Sequence, residues 1–250
     1  MKKKLTLVVT CIVLVAAMVI GGTLAYFTDT DAKTNTFTTG KVDITLEENF
    51  DKENAKLLPG SQTKNAVQKE VKIKLESGSE DSWVWYEWLI PAVLDSTDGS
   101  TGTNNIIHVN AAGSTWDNYR ENSKYWPEGQ TQALPLEKTW DHDPEKELGL
   151  EKLGPQGYFA QETIDGIVYN KYVVLYHGKL SAGDETSVGM TQVYMDSKVD
   201  TNDKGEYTIN GNVINYDFSK GVNIIVRAYG FQAAGFDNVY DASKAYNNIK

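Results

Sequence analysis

The stretch from Trp83 to Ile90, WVWYEWLI, limits what this chain can build more than any other. In a strand, successive side chains point to opposite faces. Here Val84, Tyr86, Trp88 and Ile90 make one face apolar, and Trp83, Trp85 and Leu89 make the other apolar too. Such a strand has to be covered on both sides, or it offers one face to a partner. Pro91 has no N–H to give a ladder and ends it. The expectation is a central strand of a layered β-structure, with an exposed recognition strand as the alternative.

Other stretches repeat the period of two with one apolar face. Val42, Ile44 and Leu46 alternate with Lys41, Asp43 and Thr45, and Val71, Ile73 and Leu75 alternate with Glu70, Lys72, Lys74 and Glu76. Val222, Ile224, Val226 and Ala228 alternate with Asn223, Ile225, Arg227 and Tyr229, giving a last core strand. Turn chemistry separates them: Pro59-Gly60 within Leu57 to Ser61, Asp165-Gly166 between β-formers, and the glycine corner from Leu180 to Thr186. Asn202 to Gly205 is a turn between Val188 to Val199 and Tyr207 to Phe218. From Asp95 to Pro155 the pattern weakens into Ser, Thr, Gly, Asn and Pro with scattered aromatics, an inserted irregular lobe. Ala233 to Tyr246 is the one convincing helical segment, kept short by Gly235. The sum is about ten strands and little helix: an all-β, antiparallel jelly-roll sandwich with an insertion over about residues 95–155 and a short C-terminal helix.

The N-terminus has a separate character. Lys2, Lys3 and Lys4 precede an apolar run from Leu5 to Ile20 and the small residues Gly21, Gly22, Thr23 and Ala25. This order is that of a secretory signal over residues 1–25, cut near Ala25 or Tyr26. The run is shorter than the roughly 20 residues a spanning helix needs, and Thr10 interrupts it. A Thr-rich leader over residues 26–40 follows, then one domain over residues 41–250. The single cysteine, Cys11, lies in the apolar run, so the mature chain is expected to hold no disulfide, thiolate metal site or cysteine nucleophile. The charge balance bears on partners: 24 Lys+Arg stand against 34 Asp+Glu, and loss of the three N-terminal lysines leaves 21 against 34. An acidic surface with Arg120 and Arg227 as its arginines repels phosphate backbones, so no nucleic-acid partner is expected.

Catalytic patterns are mostly missing. His108, His142 and His177 lie far apart and none belongs to a His-Glu-x-x-His helix. No Gly-x-Ser-x-Gly elbow or phosphate-cradling loop occurs. Asp141-His142-Asp143-Pro144-Glu145 could hold a cation or be a solvated acidic turn. Two calcium-like loops, Asp29 to Lys33 and Asp200 to Gly205, each lose a ligand position to a lysine, Lys33 and Lys204. No catalytic, cofactor-binding or metal residue is assigned, and the chain is not expected to be an enzyme. Trp116, Trp126 and Trp140 could stack on sugar rings, or be core.

Several pieces together resemble a known family. Gly21-Gly22-Thr23-Leu24-Ala25-Tyr26-Phe27-Thr28-Asp29, Phe37 to Ile44, Leu57-Leu58-Pro59-Gly60, Val71 to Leu75, Leu180 to Thr186, and Ile225 to Phe236 with its Gln-Ala-x-Gly-Phe ending are similar to the TasA/camelysin (CalY-like) family of biofilm-matrix proteins. Residues 95–155 depart from its compact members. The resemblance implies export by a signal peptidase of the SipW type to the matrix or cell surface of a Gram-positive bacterium. It also implies a jelly-roll subunit of an extracellular fibre, whose partners are copies of itself and other matrix or surface components. In relatives the freed N-terminal segment inserts as a strand into the next subunit. Mapped here, the donor is Tyr26, Phe27, Thr28, Asp29 through Thr36 and Phe37, with both phenylalanines as anchors; a flexible mature terminus is the alternative. Head-to-tail addition does not close and gives filaments. Two other expectations stand beside it: a camelysin-like metallopeptidase, and a surface glycan-binding sandwich.

Overall fold

A computed structural model describes residues 40–51, 54–61, 63–95, 106–111, 136–142, 144–153 and 158–249, all within the unit Gly40–Lys250. Its strands are β1 (Ile44–Asn49), β2 (Pro59–Gly60), β3 (Val67–Leu75), β4 (Ser82–Pro91), β5 (Ile107–Ala111), β6 (Trp140–Asp141), β7 (Ala160–Ile164), β8 (Ile167–Tyr176), β9 (Met190–Asp196), β10 (Val199–Thr201), β11 (Tyr207–Ile209), β12 (Asn212–Val213) and β13 (Ile225–Gln232). Two α-helices, α1 (Glu145–Leu148) and α2 (Val239–Ile249), and 3-10 turns over Leu136–Lys138 and Phe218–Lys220 complete the set among the described residues. The chain is all-β, as its alternation implies.

The first sheet runs β1, β3, β9 in antiparallel register, with Ile44 opposite Leu75 and Val71 opposite Met190. On β9, the same residues that face β3 also face β5, so β5 occupies the opposite edge. The second sheet runs β13, β4, β8, and the far edge of β8 carries β7 and then β6. A small ribbon of β10, β11 and β12 stands apart.

Between the sheets lies the main core. Val71, Ile73 and Leu75 of β3 are fully buried against Val84, Tyr86 and Trp88 of β4 and Val174 and Tyr176 of β8. The other face of β4 has its own cover: Trp83, Trp85 and Leu175 pack with Ala233, Val239 and Ala242 under α2. Trp85 lies flat on Tyr229 at 5.8 Å and edge-on to Tyr246 at 5.3 Å, while the Trp83 Nε1–H donates to the carbonyl of Phe236 at 3.3 Å. The doubly apolar strand is therefore a covered central strand. Each large apolar side chain taken out of water contributes roughly 1.5–3 kcal/mol, so β4 anchors both layers.

Several local expectations shift. The helix begins at Val239 rather than Ala233, because Gly235 turns the chain at φ +89° and Asn238 caps the helix by accepting from the Asp241 N–H at 3.0 Å. Pro59-Gly60 is a short parallel pairing with Met195-Asp196, and the reversal falls at Ser61–Lys64. The stretch Tyr207 to Phe218 is two short strands joined by Asn210-Gly211, followed by a 3-10 turn over Phe218–Lys220 that Asp217 caps. At Asp165-Gly166 the hairpin is as expected, with both residues at positive φ (50° and 79°), the requirement of a tight I′ turn. The described parts of residues 95–155 extend both sheets, β5 on β9 and β6 on β8.

Candidate functional site

Among the described residues β1 pairs only with β3 and β13 only with β4, so each sheet ends on an edge strand, and these two edges face one another. At one end they pinch together. Gly230 lies on the inner face of β13, where an added Cβ would stand 2.9 Å from Ile44 Cγ2 and 3.1 Å from Val42 Cγ1. Farther along the strands the edges part around a groove of about 1020 Å³. Leu46 and Glu48 of β1, Val67 and Lys69 of β3, and Val193 and Met195 of β9 form one wall. Ile224, Ile225, Val226, Ile164 and Tyr169 form the other, with Phe50, Tyr207 and Phe218 also lining it.

Local sequence explains why it stays open. Alternation predicts a strand already at Val222, yet laddering starts at Ile225, opposite Leu89. Gly221 and the Phe218–Lys220 turn hold residues 221–224 away from β4, so Val222 and Ile224 pack on the core and line the groove without strand partners of their own.

Three charged residues, Glu48, Lys69 and Asp165, share the lining with the apolar side chains, and the first two are paired. Lys69 occupies the inward phase of Val71, Ile73 and Leu75 and is 7 % exposed. Its Nζ lies 2.6 Å from Glu48 Oε1 and 4.9 Å from the ring centre of Phe50. Burying an ammonium costs several kcal/mol unless a carboxylate and a ring face offset it. Neither residue was singled out from sequence. The signal was there: extending the inward phase back from Val71 reaches Lys69, and extending it onward from Ile44 and Leu46 reaches Glu48.

A second polar cluster lies within the sandwich beside β8. Asp95 is 2 % exposed, and its Oδ2 accepts from Asn170 Nδ2 at 2.8 Å and from the Tyr172 hydroxyl at 2.5 Å. Gln161 Nε2 in turn donates to Asn170 Oδ1 at 2.9 Å. Burial pushes the Asp95 carboxyl above its ordinary value, against the pull of its two hydrogen bonds. The Tyr172 hydroxyl is also held up, first by burial and then by the neighbouring carboxylate. His108 sits 2.9 Å from Asp196 and stacks on Tyr194 at 4.7 Å. His177 stands edge-on to Tyr240 at 5.9 Å, and burial lowers its imidazole's proton affinity. His142 packs beside Trp88 at 5.5 Å.

The leader residues Ala25, Tyr26, Phe27, Thr28, Asp29, Thr36 and Phe37 lie outside the described residues, as do Trp116 and Trp126. Trp140 is a core residue: it is 2 % exposed, stacks on Tyr86 at 4.3 Å and donates through Nε1 to the Ser187 carbonyl at 3.1 Å. It cannot serve as a sugar platform. In the acidic turn, Asp141 accepts from the Tyr240 hydroxyl at 2.8 Å, and Glu145 opens α1.

A model of the family described as camelysin metallo-endopeptidase matches residues 1–80. Over this segment, about a third of its length, the chain is similar to that family. No curated protein and no solved structure matches the chain. The camelysin segment takes in the leader together with β1, β2 and β3, and so contributes Leu46, Glu48, Phe50, Leu57, Val67 and Lys69 to the groove. The family description implies a metal. Among the described residues no group of three or more His, Cys, Asp or Glu side chains is placed to hold one, so the donor set there does not fit a metallopeptidase centre.

Proposed function

We propose that this chain is an exported structural subunit of an extracellular matrix fibre, assembled when the leader of one copy adds as a strand to the groove of the next. The observation that carries this reading is the groove itself: a channel of about 1020 Å³, lined by apolar and polar side chains together and flanked by two edge strands. An extended segment laid there would gain main-chain hydrogen bonds from an open edge and seat alternate side chains in the channel. The camelysin-like segment supports the reading further, since it contains the candidate donor and the β1 and β3 part of one wall of the acceptor. In this reading the mature chain starts near Tyr26, its partners are copies of itself and other matrix or surface components, and it performs no catalytic step. Deleting residues 26–37 from the mature chain is expected to leave a folded monomer that forms no filaments by electron microscopy. Filaments of normal length from that deletion would overturn it.

A further inference from the structure

A nearly buried lysine in the wall of a groove is poorly explained by folding alone. Buried pairs are often matched or exceeded in stability by apolar residues of similar volume, and the neighbouring inward positions of β3 are Val71, Ile73 and Leu75. Lys69, with its Glu48 partner, breaks that pattern in the groove wall.

The leader breaks its own pattern in a complementary way. Written as a strand, its odd-numbered side chains share one face. Phe27 and Phe37 therefore travel with Asp29, Asp31, Lys33 and Asn35, while Tyr26, Thr28, Thr30, Ala32, Thr34 and Thr36 lie on the reverse. A strand that seats both rings carries two carboxylates into the channel with them. Carboxylates brought into a groove that already holds those of Glu48 and Asp165 need a countercharge, and Lys69 is the cation among the described residues of its lining.

We infer that Lys69 is the specificity-determining residue of the groove, its ammonium receiving Asp29 or Asp31 of the neighbouring copy's leader. This rests on the strand-donation reading above. Glu48 neutralises Lys69 in the free subunit, and when a leader carboxylate takes the ammonium, Glu48 faces the Lys33 that arrives beside it. A leader lacking acids on the Phe face would leave Lys69 to its internal partner and bring nothing to offset its own desolvation. Self-recognition thus depends on charge order as well as on apolar fit.

The test uses freshly diluted mature chain and a labelled synthetic peptide of residues 26–38, with binding followed by fluorescence anisotropy. Exchanging Asp29 and Asp31 for Asn in the peptide is expected to weaken binding about tenfold or more to the native chain, and by less than about twofold to the Lys69→Met chain. Lys69→Arg should keep the discrimination. Equal binding of the two peptides to the native chain would overturn the role of Lys69 while leaving strand donation intact. Binding of neither peptide would overturn both. Discrimination that survives Lys69→Met would assign it elsewhere. If Lys69→Met does not fold, the native chain still decides: a peptide with Asp29→Lys and Asp31→Lys should fail to bind, and its binding would overturn the inference.

Discussion

Burial holds the Asp95 carboxyl above its ordinary value, so the folded chain keeps a proton there to higher pH than the unfolded chain does. Linkage fixes the sign: the contribution of this group is most favourable below the unfolded value and declines as pH rises through the folded one. Asp95→Asn keeps an oxygen to accept from Asn170 and Tyr172 without a charge to bury. Its melting temperature relative to the native chain is expected to climb between about pH 4 and about pH 7, and a flat difference would contradict the assignment. Tyr172→Phe removes one of the two donors from a buried carboxylate and should cost about 1–3 kcal/mol in urea denaturation. None of this was legible in the sequence, because Asp95 meets Asn170 75 positions away and Tyr172 77 away. Lys69 was legible in principle, since a period of two names its face without knowledge of any partner strand.

At the scale of elements, β4 was the most readable. Its two apolar faces announced two covering layers, and the structure supplies β3 and β9 on one side and α2 on the other. Ala242 is fully buried where α2 meets this second layer. Ala242→Asp would force a carboxylate against Trp83 and Trp85 and should cost at least about 2 kcal/mol, read from denaturation followed by tryptophan fluorescence. The Asp165-Gly166 hairpin was equally readable, because its signal is carried by adjacent residues, whereas the Asn210-Gly211 reversal has the same positive-φ chemistry and lay inside a stretch read as one strand. Short strands such as β5 and β6 were not, since they exist only through pairing with β9 and β8. The start of β13 was misjudged for a related reason: alternation at Val222 and Ile224 records which side chains turn inward, and says nothing about whether a neighbouring backbone is within reach. Gly230 sets how closely β1 and β13 approach. Gly230→Val should overpack this contact, at a cost of about 1–3 kcal/mol by the same assay.

For the whole molecule the dominant long-range term is charge. The chain carries a formal net charge of −10, and removal of an N-terminal segment containing Lys2, Lys3 and Lys4 would make it more negative. In the proposed fibre, copies that add to one another would first have to overcome this repulsion. Association followed by light scattering should therefore speed up as salt is raised from about 10 mM to about 150 mM, where the screening length falls from roughly 30 Å to roughly 8 Å. Slower association with salt would mean that steering between opposite patches, not repulsion, governs encounter.

For the proposed fibre, the pinch at Gly230 and Ile44 would carry a consequence for growth. A channel stopped at one end and parted at the other would admit an extended guest from the open end, and a leader tethered to its own subunit by its C-terminal end would lie in it in one direction. A row of copies threaded through such channels would have two unlike tips, one showing an unfilled slot and the other an unused tail. Elongation would then proceed with directionality, and a soluble tail fragment would cap one tip and leave the other growing.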